Sequence, residues 1–254
     1  MGKYTTSFFS QSMPDWKKKK DPIICRFIYR PISFWVASVC ANMGISANTV
    51  SYFSLFLGFA GCVCYLIPSF SMHMVGAIIC NIWLLLDCVD GNIARSVKKQ
   101  LFGEFADAIS SYIFAGLLYT AIGFTVYFDG GILVKSGCVW MILVGAVASA
   151  SDTLMRLIHQ KYINTEREHI DNGVLPRSEV SAPNHEQSSL KDHLFEALGL
   201  GGWLPLVILI ATYYNALDLV LFYCLAYFGG PCLIMSYKYI HKAIEKANLY
   251  SIDK

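Results

Sequence analysis

Residues 72–94 read MHMVGAIICNIWLLLDCVDGNIA. The run is apolar as far as Leu86, then meets two carboxylates, Asp87 and Asp90, followed at once by Gly91. At 23 residues it exceeds the roughly 20 needed to cross the hydrocarbon core of a bilayer as a helix. Five further apolar blocks of similar kind occupy 47–67, 104–128, 132–158, 196–216 and 218–240. The 254-residue chain is 55% hydrophobic and only 15% charged, with a mean hydropathy of +0.47. Soluble domains carry about a quarter charged residues, so a soluble single domain is excluded, as is disorder over most of the chain. The expected fold is an all-α integral membrane protein: one domain over 1–254, with a six-helix bundle over 47–240.

The connections near Pro68 to Ser71, Asp129 to Gly131 and Asn215 to Asp218 are very short, whereas 159–195 is polar and is expected to be a loop. Residues 22–43 set Ile24, Phe27, Ile28, Ile32, Trp35 and Val39 at helical spacing, with Arg26, Arg30 and Ser33 between them. This pattern predicts an amphipathic interfacial helix whose basic side meets anionic lipid; a short first span is the alternative. Of the 20 Lys and Arg residues, only Lys135 lies near the tight-turn side. The positive-inside rule then places both termini and the 159–195 loop in the cytosol. Nine cysteines, without any CxxC pair, read as small buried thiols rather than a disulfide framework or zinc site. No nucleic-acid partner is expected.

Asp87 and Asp90, three residues apart, share one helix face. Across a turn of about ten residues the next block opens GEFADAISSY, Gly103 to Tyr112, and puts Asp107 one turn into its helix. The two helices are expected to be antiparallel neighbours, so that all three carboxylates meet at one depth. A single aspartate at a helix end is ordinarily a solvated terminus. Three converging at the membrane edge are costly unless liganded, and oxygen-only ligation suits Mg²⁺, Mn²⁺ or Ca²⁺. With Gly91, Ala94 and Arg95 beside them, the arrangement reads as a cradle for a diphosphate.

Asp87-x2-Asp90-Gly91-x2-Ala94-Arg95, followed by Gly103-x3-Asp107, resembles the signature of the CDP-alcohol phosphatidyltransferases. Ala47-Asn48-Thr49-Val50-Ser51 resembles that family's Pro-Asn-x-x-Thr segment, with Ala in place of Pro. The resemblance implies transfer of a substituted phosphate from a CDP-linked alcohol to an acceptor hydroxyl with release of CMP, in phospholipid or surface-glycan synthesis. It implies Mg²⁺ or Mn²⁺ on Asp87, Asp90 and Asp107, CDP against Asn48, Gly91, Ala94, Arg95 and Gly103, and association as a homodimer. The family pattern ends Gly-x3-Asp-x3-Asp, and here the last position is Ser111. In the family that aspartate is the general base and serves a second metal; a serine is a poor base. Catalysis would then rest on Asp107 and Ser111, on Glu104 or Asp152, or on an acceptor already ionised. A catalytically impaired relative acting through a partner is the alternative, and a small-solute transporter is a third class without the expected inverted repeats.

Outside the motif, Asp152 and Arg156 form an i,i+4 pair in which Arg156, with Lys161 nearby, is a candidate for binding an anionic acceptor. His159, His169, His185, His193 and His241 read as surface residues. Tyr213, Tyr214, Tyr223 and Tyr227 read as packing and interfacial anchors, and Pro231 as a kink in the last span.

Overall fold

The computed structural model describes residues 2–176 and 197–250, and among these there is no strand. Two short helices, α1 (Thr6–Ser12) and α2 (Asp15–Lys20), lead through a wide turn at Cys25–Tyr29 into α3 (Arg30–Asn42). Four long helices follow: α4 (Ala47–Leu66), α5 (Phe70–Ser96), α6 (Gly103–Asp129) and α7 (Trp140–Asp171). After them come the short apolar α8 (Leu204–Tyr213), then α9 (Leu217–Cys224), which continues through a wide turn at Leu225–Gly229 into α10 (Gly230–Leu249). The wide turn ends just before Pro231, which has no N–H for a regular helical bond.

Among the described residues, five stretches are long and apolar enough to cross a membrane: α4, α5, α6, α7 and the combined Leu217–Leu249. Their outward faces carry Phe56, Phe59, Ile78, Leu143, Leu154 and Leu233, all exposed, as expected of a surface that meets acyl chains rather than water. In the apolar block at 196–216 the ten-residue α8 is too short to count among these spans. The chain nevertheless runs between the two ends of the bundle there. Gly201 accepts from the Cys25 thiol at one end, while Thr212 approaches Tyr65 and Asn215 shares a small cavity with His73 and Asp129 at the other.

Helices meet along seams of glycine. A Cβ on Gly76 would come within 3.0 Å of the Gly61 carbonyl oxygen, and one on Gly123 within 2.7 Å of the Met141 carbonyl oxygen. Gly145 backs onto the Tyr119 carbonyl in the same way. With little hydrophobic drive between helices in lipid, such close backbone approach supplies the packing. It joins α4 to α5 and α6 to α7. Contrary to the sequence expectation, α5 and α6 are not close-packed neighbours along their length: α4 packs extensively on both. Large side chains bridge the gap between them, with Trp83 against Phe114 at 4.5 Å and the Trp83 indole donating to the Ser110 hydroxyl at 3.1 Å.

Two further expectations change. The helix α7 continues to Asp171, so the polar stretch from 159 is helical over its first thirteen residues; 177–195, with His185 and His193, lies outside the described residues. The 22–43 segment is amphipathic, but its expected basic side is divided. Arg30 and Ser33 are buried against the bundle, as is Ile24, whereas Arg26 is exposed along with Phe27, Ile28, Ile32, Trp35 and Val39. Arg30 turns inward because Asp21 is there to meet it, with Nε to Oδ2 at 2.6 Å and Nη2 to Oδ1 at 3.0 Å. All nine cysteines are free thiols.

Candidate active site

Asp87 and Asp90 stand near the end of α5, and Asp107 one turn into α6. Their carboxylates come together: one oxygen from each lies within 4.8 Å of the others. Asp90 is buried, Asp87 half-buried and Asp107 exposed. The buried one is held by α4, where Ser51 donates its hydroxyl to Asp90 Oδ2 at 2.6 Å. Three carboxylates this close repel one another. Lys17, Arg30 and Arg95 are within electrostatic reach of Asp87, and Arg156 and Lys17 of Asp107, but no basic side chain bonds the cluster among the hydrogen bonds and ion pairs of the described residues. An all-oxygen donor set drawn from two helices fits a hard divalent cation.

Cavities open on either side of the cluster. A recess of about 160 Å³ is lined by Asn48, Gly91, Ala94, Arg95 and Gly103, together with Asp90 and Asp107. These are all five residues expected to meet CDP. Asn48 donates to the Leu101 carbonyl at 3.0 Å, while its Oδ1 is buried with no partner among the described residues, leaving an acceptor for a ligand N–H or O–H. At Gly91 the Arg95 side chain folds back over the backbone, with its guanidinium nitrogens 2.9 Å from where a Cβ would stand.

The second cavity, of about 620 Å³, is lined by Asp87, Asp107, Ser111, Asp152 and Arg156, and by Lys17, Asp21 and Arg30 from the N-terminal segment. Asp107 therefore borders both cavities. Arg156 Nε donates to Asp152 Oδ1 at 2.8 Å, as the spacing implied, and Asp152 Oδ2 is buried without a partner among the described residues. Lys161 is exposed and does not line the cavity; Lys17 is the lysine that does. His159, His169 and His241 are exposed, as expected.

Sequence reasoning missed the contribution of residues before 44. Asp21 is buried between Lys17 (3.2 Å) and Arg30 (2.6 Å). Burial works to raise its carboxyl, but the hydrogen bond from Arg30 and the charges of Lys17 and Arg30 outweigh that and hold it below the usual carboxylate value. No local motif marks these residues; only the Asp21-to-Arg30 spacing on either side of the turn hinted at a pair. His73, also passed over, is buried at the far end and paired with Asp129 at 3.0 Å.

The family model described as CDP-alcohol phosphatidyltransferase matches residues 44–177. The chain belongs to this family, whose members are transferases acting on CDP-alcohols. A search among curated proteins finds no match.

Proposed function

We propose that this protein is a divalent-cation-dependent CDP-alcohol phosphotransferase. The observation that carries the reading is the position of the three carboxylates, shared between a recess with the family's nucleotide residues and a larger cavity. Asp87, Asp90 and Asp107 would hold Mg²⁺ or Mn²⁺, which when bound neutralises charge on the diphosphate and on departing CMP. Asn48, Gly91, Ala94, Arg95 and Gly103 receive the diphosphate end of the CDP-alcohol. The acceptor enters the larger cavity, where Arg156 orients it and excludes competing poses.

The acceptor oxygen attacks the β-phosphorus. A new P–O bond forms, the bond from the β-phosphorus to the bridging oxygen breaks, and CMP leaves with the electron pair. Asp107, bordering both cavities, and Ser111, on the same face of α6, are the groups beside the acceptor hydroxyl as it gives up its proton. No covalent enzyme intermediate is needed; positioning and electrostatics supply the rate. The basic residues favour a cytosolic site and cytosolic termini. Six crossings agree with that, α8 completing the fifth, and α3 lies in the interface with its apolar face toward lipid.

Titration of detergent-purified protein with CDP and Mn²⁺ tests the reading. Asp90→Ala should lose both; equal binding by the variant overturns the assignment. Ser111 favours a second reading, a non-catalytic relative that binds nucleotide and acts through a partner. CMP release from a CDP-alcohol panel, abolished by Asp107→Asn, would exclude it.

A further inference from the structure

Between the two cavities runs a chain of buried polar contacts centred on a residue that belongs to neither the carboxylate cluster nor the motif's named positions. Asn92, 3% exposed, is one of the two variable residues between Gly91 and Ala94. Its Oδ1 accepts from two guanidinium groups: Arg30 Nη1 at 3.1 Å and Arg95 Nη2 at 3.3 Å. Its Nδ2 donates to the Ser33 hydroxyl at 3.0 Å, which in turn donates to the Arg30 carbonyl at 2.9 Å. Arg30 also reaches the Cys88 carbonyl, in the turn that carries Asp87 and Asp90. Both acceptor directions of the Asn92 amide and one of its two donor directions are therefore fixed by α3 and by Arg95.

Two cations on one carbonyl oxygen repel, and Arg95 feels the charge of Arg30. What makes the arrangement tolerable is Asp21, which meets Arg30 through two parallel bonds; fork-to-fork pairing of this kind fixes geometry as well as charge. Arg30 is thus spoken for by a carboxylate, while Arg95 is steered by a neutral amide and keeps its charge for something else. That charge lies over Gly91 in the wall of the smaller recess.

We propose that Asn92, Arg30 and Asp21 are positioning residues that hold the Arg95 guanidinium toward the phosphates of the CDP-alcohol. Arg30 and Asp21 lie outside the matched segment 44–177. The N-terminal segment is then a working part of the nucleotide site as well as a membrane-surface element. The inference rests on the functional reading above.

The test is binding of CDP and of cytidine to the full-length protein in detergent at fixed Mg²⁺. Asn92→Ala should weaken CDP about tenfold, with cytidine, which has no phosphate, changed less than twofold. Arg95→Gln should weaken CDP similarly, and the double variant should be no worse than Arg95→Gln alone, because coupled residues do not add. Asn92→Asp, which keeps an acceptor oxygen for both guanidinium groups, should recover most of the CDP affinity. Arg30→Lys, which keeps the charge opposite Asp21 but not the separate Nη1 donor to Asn92, should behave like Asn92→Ala and serves if that variant misfolds. Parent-like CDP binding by Asn92→Ala or, in its place, Arg30→Lys, a parallel loss of cytidine, or additive losses would each overturn the proposal. A parent protein that binds no CDP would overturn the functional reading and take this inference with it.

Discussion

Ser51 on α4 and Asp90 on α5 are joined by a 2.6 Å hydrogen bond inside the bundle. It is the link through which a helix that contributes no carboxylate governs the carboxylate cluster. Hydrogen bonds to charged groups contribute about 1.5–3 kcal/mol, and residues that orient metal ligands typically change metal affinity by about 10–100-fold. Ser51→Ala should therefore keep the fold and weaken Mn²⁺ binding by at least about tenfold, read by Mn²⁺ titration of the purified protein. Unchanged affinity would mean that Asp90 is oriented without Ser51.

This link also marks the boundary of what the sequence made legible. Asp87, Asp90 and Asp107 were readable because their spacing repeats the helical period and their chemistry is costly unless liganded. The recess residues followed from a local motif. The route by which α5 and α6 converge did not, because it runs through α4, tied to α5 by Gly61, Gly76 and Ser51 and to α6 by the Ser54–Ser110 hydrogen bond, and close approach between distant backbones leaves no periodic trace. Arg30 was misread for a related reason. Hydropathy spacing located the α3 helix correctly, but which face is buried depended on Asp21, nine residues earlier across an irregular turn.

Asp21 gives a pH prediction. Its carboxyl is held below the ordinary value of 3.8, so the folded state favours the charged form. The stability this contributes is fully present above the unfolded value and is lost as pH falls through the folded one. Removing one partner of a buried pair costs about 3–5 kcal/mol. Asp21→Asn should be less stable than the parent at pH 7 by an amount of that order. The gap should narrow below about pH 4, as the parent's carboxylate is protonated. Thermal unfolding of both proteins across pH 3–7 would show it; a gap independent of pH would assign Asp21 a purely steric role.

The glycine seam between α6 and α7 makes a contrast testable within one chain. Gly145 backs onto the Tyr119 carbonyl, whereas a Cβ on Gly229 would meet only the Leu225 side chain, at an ordinary 3.8 Å, and Ser151. Gly145→Ala must push two helices apart, and overpacking of this kind costs about 1–3 kcal/mol. Gly229→Ala, in helical backbone just before α10, should be neutral or stabilising by up to about 1 kcal/mol, since alanine loses less backbone entropy in a helix. Thermal unfolding in one detergent should order the three proteins Gly229→Ala, parent, Gly145→Ala.

Ser111 is the sharpest departure from the family pattern, and its surroundings say what restoring an aspartate should do. It sits four residues after Asp107, on the same face of α6 and about 6 Å further along the axis, half-buried in the wall of the larger cavity. Its neighbour Ser110 is already engaged with Ser54 and Trp83, so the serine at 111 is the one that lines the larger cavity. Ser111→Asp adds a fourth negative charge beside three that already repel. Without a cation the variant should be less stable than the parent. The deficit should close on adding Mn²⁺, because the new carboxylate is another hard ligand for the ion. A carboxylate base in place of a hydroxyl should also raise CMP release at neutral pH, by about tenfold or more given that positioned general bases contribute about 10²–10⁴-fold. Stability with and without Mn²⁺, followed by turnover with a CDP-alcohol, separates the two effects. If Mn²⁺ closes the stability gap but turnover falls, then Ser111 is itself part of the working site, and the acceptor is one whose hydroxyl needs no carboxylate there.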